Sequence, residues 1–281
     1  MPIFFWPQLT KERVEEKHAL SPKRISFAYA HSGQPKRTAD GGDIIAKFSL
    51  PFSETVQKIF EADTGIRLDQ SKYGGVWKPI KSEAELQAIV AWTQRQGTRH
   101  FLRDCLDLSV ALDQNLTDNH SATYTQLGKW ESMAKEQFSQ EAVSGLVSSC
   151  AAAIRELPYY RDTRYIAAVP PRPGKTYDLP STLATKIAES LGIVDLTPRF
   201  SYTGQKGTIK ALSINDKWAA WEQAGLSFSP VLEKRPSIIL IDDKYQSGIT
   251  LQFVASKLWV AGAGHIYGLC AVKTLGDDDN Q

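Results

Sequence analysis

The chain has 281 residues, of which 42% are hydrophobic and 23% are charged. This length is about twice that of an average domain, so one large or two small domains are expected. The 33 basic and 31 acidic residues give a net charge of +2. Such a balance argues against bulk electrostatic capture of nucleic acid or of an anionic membrane.

The three cysteines, Cys105, Cys150 and Cys270, lie far apart and form no Cys-x-x-Cys pair. This spacing excludes a disulfide scaffold and a cysteine-rich zinc site, and it is typical of a reducing compartment. The apolar residues 1–7 are too few for a secretory signal, and no apolar run is long enough to cross a membrane. We therefore expect a cytoplasmic protein that makes no membrane contact.

The first half of the chain predicts a mixed α/β region followed by helices. The predicted elements are strands at 25–30, 43–50 and 76–80 and helices at 54–62 and 83–95. Ser53 and Ser82 are the predicted N-caps of the two helices, and Gly65 is the predicted end of the first. From about 100 to 157 apolar residues recur at helical spacing, so this whole stretch is predicted to be helical.

The second half alternates between strands and helices. The predicted strands are 164–169, 237–241 and 265–272, and the predicted helices are 180–191, 215–224 and 248–261. Continuous apolar strands in such an alternation predict a parallel sheet with helices on both faces. Ligands of these sheets bind beyond the carboxyl ends of the strands, which places the segment after Ile241 at the site.

These patterns predict an α/β fold in three parts. They are an N-terminal α/β and helical domain at 1–155, a domain with the parallel sheet at 156–276, and an acidic disordered tail at 277–281.

The segment after the apolar strand 238–241 combines two acids with a glycine-containing turn into a helix. Backbone N–H groups at such a turn bind phosphate, and Ser247 and Thr250 add hydroxyl donors. The carboxylates of Asp242 and Asp243 can accept hydrogen bonds from sugar hydroxyls or hold Mg²⁺ through water. A phosphorylated sugar satisfies both halves of the motif, whereas the alternative interpretation is an ordinary helix-capping turn.

This segment resembles the phosphoribosyl-pyrophosphate (PRPP) motif of type I phosphoribosyltransferases. The resemblance implies that Asp242 and Asp243 hold the ribose hydroxyls and that Mg²⁺ arrives with PRPP, without a cage of protein ligands. It also implies a loop for the 5′-phosphate, formed by Lys244, Tyr245, Gln246, Ser247, Gly248, Ile249 and Thr250. Lys244 stands where the family commonly has an aliphatic residue, and Gln246 where it has a small hydroxyl residue.

Residues 160–275 are most similar to the ComF branch of that superfamily. The similarity lies in the strand end 168–170, the helix 183–188, the spacing of Arg199, Thr203 and Gln205, and the turn 261–263. The four-cysteine zinc module and the Arg-Gly-Phe-Asn-Gln stretch of ComF proteins are missing from this sequence.

The Pro-rich turn 170–175 follows the first strand of this region, where the family has its pyrophosphate-binding loop. The resemblance assigns that role to Pro171, Arg172, Gly174 and Lys175. A glycine lets an anion approach the backbone, and the two cations would stabilise the leaving group. Gln205 and Lys206 lie where the family has a mobile lid. A solvated loop is the alternative for both segments.

Two functions therefore remain open at this point. The first is an enzyme in which a nitrogen nucleophile displaces pyrophosphate from Mg²⁺-bound PRPP. The second is a non-catalytic module that binds PRPP, a nucleotide or a nucleic-acid phosphate in DNA uptake or bacterial defence. The resemblance also implies a possible homodimer, while the acceptor cannot be inferred.

Overall fold

The computed structural model describes residues 9–28, 33–38, 42–118, 123–171, 174–204 and 214–276. Its α-helices are α1 (Lys11–His18), α2 (Val56–Thr64), α3 (Glu83–Arg95), α4 (Gln126–Glu136), α5 (Gln140–Glu156), α6 (Leu179–Leu191), α7 (Ile214–Gln223) and α8 (Ile249–Val260). Its strands are β1 (Arg24–Ser26), β2 (Lys36–Arg37), β3 (Ala46–Leu50), β4 (Asp69–Gln70), β5 (Val76–Ile80), β6 (His100–Leu102), β7 (Leu108–Gln114), β8 (Tyr165–Ala168), β9 (Val194–Asp195), β10 (Phe200–Tyr202), β11 (Leu226–Phe228), β12 (Ser237–Tyr245) and β13 (His265–Lys273).

The largest element of the fold is a seven-stranded sheet in the order β1-β6-β7-β13-β12-β8-β9. The five strands from β7 to β9 in this order are mutually parallel. Only β6 runs antiparallel to its two neighbours, β1 and β7. The predicted α/β fold with a parallel sheet is thus confirmed.

Helices cover this sheet on both faces because its central strands are apolar on both sides. Ile239 and Ile241 of β12 belong to the core shared with α5 and α6. The alternate residues Ile238 and Leu240 belong to a second core with α7 and α8. Successive side chains of a strand point to opposite faces, so one run of apolar residues supplies both cores.

The direction of winding reverses between β8 and β12. The chain passes from β8 through α6 to β9 at one edge, whereas β12 leads through α8 to β13 on the other side. At such a reversal the two connections diverge and leave a crevice at the carboxyl ends of the strands. This crevice lies beside the turn that follows β12.

A smaller antiparallel sheet, in the order β2-β3-β5-β4, packs with α2 and α3. Its core contains Phe48, Phe60 and Trp92, whose rings lie in contact. The predicted helix at 83–95 and its N-cap are confirmed, because Ser82 Oγ accepts a hydrogen bond from Glu85 N. Thr55, and not the predicted Ser53, directly precedes α2, while the predicted end at Gly65 is confirmed.

The helical prediction for the beginning of 100–157 is wrong, because residues 100–102 and 108–114 form β6 and β7. A short apolar run has the same composition in a buried strand and in a buried helix, so periodicity alone does not separate them. The helical prediction for 141–157 is confirmed by α5.

The predicted boundary at residue 155 does not coincide with a break in the large sheet. β1, β6 and β7 precede this residue, whereas the other four strands follow it. The predicted tail at 277–281 lies outside the described residues. Within the ranges given above, no helix has the length and apolar character needed to cross a bilayer.

Candidate functional site

The turn between β12 and α8 presents the beginning of a helix at the carboxyl edge of the sheet. Gly248 precedes α8 with φ +73°, and no side chain caps the helix there. The first N–H groups of a helix have no partner within it, so they are available to an anion. A Cβ atom at Gly248 would collide with Tyr245 Oη. The glycine is therefore required both by its backbone conformation and by its neighbour.

A cavity of about 130 Å³ opens beside this turn. Its lining includes Asp242 and Lys244 of the strand, Gln246, Ser247, Gly248 and Thr250 of the following turn, and Lys217 of α7. One acid of the motif thus shares a cavity with hydroxyl groups and a helix N-terminus. Of the predicted phosphate loop, Ile249 is 1% exposed and can offer only its backbone.

Two hydrogen bonds anchor the turn to the surrounding elements. Thr250 Oγ1 accepts one from Trp221 Nε1 at 3.3 Å, which ties the first turn of α8 to α7. Tyr245 Oη donates the other to Asp104 Oδ2 at 3.2 Å. Burial and the neighbouring Asp104 raise the pKa of the Tyr245 hydroxyl well above its ordinary value, so it stays a neutral donor. Tyr245 is therefore a support of the turn.

The two acids lie on opposite faces of the sheet, because β12 continues through both of them to Tyr245. Asp242 lines the cavity, and its Oδ1 accepts a hydrogen bond from Asp243 N at 2.9 Å. Burial raises the pKa of Asp242 well above its ordinary value, and Asp243 raises it further, whereas Lys135 opposes this shift.

Asp243 points to α4, where it enters a chain of ion pairs. Lys135 Nζ lies 2.7 Å from Asp243 Oδ2 and 2.9 Å from Glu131 Oε1, and Lys244 Nζ lies 2.8 Å from Glu131 Oε2. Burial lowers the pKa of the Lys135 ammonium, but the two carboxylates outweigh it and the net shift is upward. Lys135 therefore remains a cation beside the second acid.

The predicted pyrophosphate loop is described only in part. Pro171, Gly174 and Lys175 follow β8, and Gly174 adopts φ +79°. Lys175 Nζ is paired with Asp178 Oδ1 at 2.9 Å, and the same carboxylate caps α6 by accepting from Ser181 N. In this arrangement the Lys175 charge is already balanced.

Three predicted site residues, Arg172, Gln205 and Lys206, lie outside the described residues. The pyrophosphate and lid roles assigned to them stay predictions.

Sequence reasoning missed the contributions of α4 and α7. Glu131 and Lys135 come from α4 and reach the strand end, while Lys217 and Trp221 come from α7. Only Glu131 could have been found from the sequence. It occupies a position on the buried face of α4, where an apolar residue is ordinarily found, and a carboxylate there indicates a charged partner. Nothing in the sequence distinguishes Lys217 or Lys135 from the solvent-exposed lysines that helices commonly carry.

The donor atoms of the site suit a hard cation held together with a phosphorylated ligand. Among the described residues there is no cluster of three or more His, Cys, Asp or Glu side chains that could hold a metal ion. Asp242 offers carboxylate oxygens in the cavity, and Mg²⁺ favours oxygen ligands and retains several waters. The residues present thus fit Mg²⁺ bound mainly by oxygens of a phosphorylated ligand, and Asp242 is the carboxylate that would hold it.

Comparisons with known proteins give only distant similarities. No family model matches the chain, and no curated protein matches it. A solved adenine phosphoribosyl transferase from Trypanosoma brucei, in complex with AMP, pyrophosphate and ribose-5-phosphate, aligns with a TM-score of 0.36 and 12% identity over 58% of this chain and 86% of that one.

Two further solved structures show weaker similarity. The allosteric regulatory enzyme of purine biosynthesis aligns with a TM-score of 0.34 and 14% identity over 62% of this chain and 35% of that one. A hypothetical protein from Neisseria gonorrhoeae with bound ppGpp aligns with a TM-score of 0.30 and 13% identity over 51% and 73%. At TM-scores below 0.5, these three similarities establish no relationship.

Proposed function

We propose that this protein binds PRPP with Mg²⁺ and transfers the phosphoribosyl group to a nitrogen nucleophile, releasing pyrophosphate. The observation that carries the proposal is the shared cavity at the reversal of the sheet. Asp242 and the uncapped beginning of α8 open onto it together, so one ligand with both a phosphate and sugar hydroxyls can contact both.

In the proposed binding mode, the 5′-phosphate accepts hydrogen bonds from backbone N–H groups at Gly248 to Thr250 and from the Ser247 hydroxyl. The ribose hydroxyls donate to Asp242 and Asp243. Lys217, which lines the same cavity, adds positive charge beside the phosphate. Pro171, Gly174 and Lys175 would face the pyrophosphate, since they follow the neighbouring strand β8.

The proposed reaction is a displacement at the anomeric carbon. The bond from this carbon to the pyrophosphate oxygen breaks and its electron pair leaves with pyrophosphate. The nitrogen lone pair forms the new bond, and the proton on the nitrogen passes to solvent. No protein side chain attacks, so the residues contribute by orienting PRPP and by stabilising charge. Bound Mg²⁺ would supply neutralisation of the pyrophosphate charge.

The finer assignment, to a ComF-like protein, rests on the sequence resemblance of residues 160–275. A specific observation favours the alternative of a non-catalytic PRPP, nucleotide or nucleic-acid-phosphate module, as in DNA uptake or bacterial defence. The cation expected to stabilise pyrophosphate, Lys175, is paired with Asp178. A paired cation has less charge to offer to a leaving group.

The experiment combines calorimetric titration of PRPP with a pyrophosphate-release assay over a panel of nucleobases, amines and nucleic acids. The wild-type protein should bind PRPP and release pyrophosphate with one acceptor class. Asp242→Asn combined with Asp243→Asn should weaken PRPP binding at least ~100-fold, because two charge-assisted hydrogen bonds are lost.

Asp69→Asn, which alters an exposed acid of the small sheet, is the matched control and should bind as the wild type does. Unchanged PRPP binding in the double variant would contradict the proposal. Tight PRPP binding without pyrophosphate release over the whole panel would favour the non-catalytic module.

A further inference from the structure

A chain of four charged side chains, two buried carboxylates and two half-buried lysines, connects the end of β12 to α4. In order, it runs Asp243, Lys135, Glu131 and Lys244, with successive N···O distances of 2.7, 2.9 and 2.8 Å. The Glu131 side chain is 1% exposed and that of Asp243 is 8% exposed. Positive and negative groups alternate along the chain, so every charge has at least one partner of the opposite sign.

This chain fixes the orientation of the Asp243 carboxylate. Its Oδ2 is held by Lys135, whereas its Oδ1 makes no hydrogen bond to any residue within the described ranges. If Lys135 moved away, Asp243 would be left as a buried carboxylate without an ion-pair partner, and Glu131 would keep only Lys244; the loss at Asp243 is costly. One carboxylate oxygen is therefore engaged and the other is available to a ligand hydroxyl.

We infer that Lys135 and Glu131 of α4 are positioning residues, which hold Asp243 so that its second oxygen accepts a hydrogen bond from a ribose hydroxyl. This inference rests on the proposed function and assigns part of sugar recognition to the N-terminal half of the chain. Lys135 pairs with Asp243, and Glu131 pairs with Lys135 and Lys244. Neither residue of α4 contacts the ligand itself in this arrangement, so both act through Asp243.

A positioning role of Lys135 and a merely structural ion pair affect ligand binding differently. In the proposed binding mode Asp243 accepts from the sugar, whereas the phosphate is bound by the turn 246–250 and the beginning of α8, which line the cavity. Loss of Lys135 should therefore weaken recognition of sugar hydroxyls and leave phosphate recognition intact. A general loss of stability would weaken both together.

The test is a calorimetric titration of the full chain with ribose 5-phosphate and with 2,3-dideoxyribose 5-phosphate, which lacks the two ring hydroxyls. The wild type should favour ribose 5-phosphate by about tenfold or more, as expected for hydrogen bonds to carboxylates. In Lys135→Gln this preference should fall to about twofold, with unchanged affinity for the dideoxy sugar. Lys135→Arg, which keeps the charge, should restore most of the preference.

Lys129→Met is the matched control, because Lys129 is exposed on the same helix. If Lys135→Gln does not fold, Glu131→Gln combined with Lys135→Met removes both members of the chain on α4, so that no buried charge remains on that helix and only Asp243 and Lys244 lose their partners. This double variant should show the same loss of preference, with folding checked by circular dichroism and thermal melting.

Two outcomes would overturn the inference while leaving the proposed function in place. They are a wild-type preference that persists in Lys135→Gln, and an equal loss of affinity for both sugars. A wild type that binds neither sugar phosphate nor PRPP would overturn the proposed function and the inference with it.

Discussion

Gly248 combines two constraints at a single residue of the site. Its φ of +73° lies in the left-handed region, and a Cβ atom would meet the Tyr245 hydroxyl. Gly65, at φ +71°, has the same backbone conformation at the end of α2, but nothing lies within 4 Å of a Cβ built there. The two glycines therefore separate the effect of conformation from that of contact.

Gly65→Ala should lower the free energy of unfolding by about 1 to 2 kcal/mol, because only the left-handed conformation is penalised. Gly248→Ala should lower it by more, and it should weaken PRPP binding at least ~10-fold, because relief of the collision displaces the N–H groups of the turn. Urea unfolding and calorimetry measure the two effects. Equal losses of stability in the two variants, with PRPP binding intact, would contradict this role of Gly248.

At the level of elements, the packing of α4 on α5 determines where α4 lies relative to the site. A Cβ atom at Gly145 of α5 would lie 2.8 Å from ring atoms of Trp130 of α4. Trp130 is adjacent in sequence to Glu131, so the distance between the two helices also sets where Glu131 and Lys135 meet the strand.

Gly145→Ala should therefore reduce both stability and sugar recognition. Overpacking of this kind costs about 1 to 3 kcal/mol, and the outward shift of α4 should reduce the preference for ribose 5-phosphate over its dideoxy analogue. Urea unfolding and calorimetry measure the two effects. Ser148→Ala, at an exposed position of α5, should change neither.

Trp130→Phe in the Gly145→Ala background should recover part of the loss, because the smaller ring vacates the space that the new methyl group needs. A loss that persists undiminished in the combined variant would show that the contact with Trp130 is not its cause.

At the level of the whole molecule, the large sheet joins the two halves of the chain. β13 lies between β7, which precedes residue 155, and β12, which follows it. The core on one face draws on Val110, Leu146, Leu183 and Ile241 together. Separation of the halves would expose that core and an edge of β13.

The full chain should therefore unfold in one cooperative transition, with coincident urea curves from circular dichroism and tryptophan fluorescence. Residues 156–281 alone should show no cooperative transition, since they lack β7, α4 and α5. Two separate transitions of the full chain, or a stably folded fragment, would instead support two independent domains divided near residue 155.

Strand and helix positions were predictable where the signal is local. The helix at 83–95 has a serine N-cap and an apolar stripe within its own residues, so its bounds follow from its sequence. The region of β6 and β7 is predicted as helical, because its outer pairings, with β1 and β13, are made with residues far away along the chain. Such pairing leaves no mark in local periodicity.

The sequence by itself determined the order of the motif, with an apolar strand followed by two acids, a glycine turn and a helix. The order of these parts depends only on residue types and on their short spacing along the chain, and both can be read from the sequence. The tertiary structure decided that β12 extends through both acids, which places Asp242 in the cavity and Asp243 on α4. It also brought Lys135, Glu131 and Lys217 to the site. The physical reason is that strand length is set by pairing with β13, and side-chain neighbours by packing between elements distant in sequence.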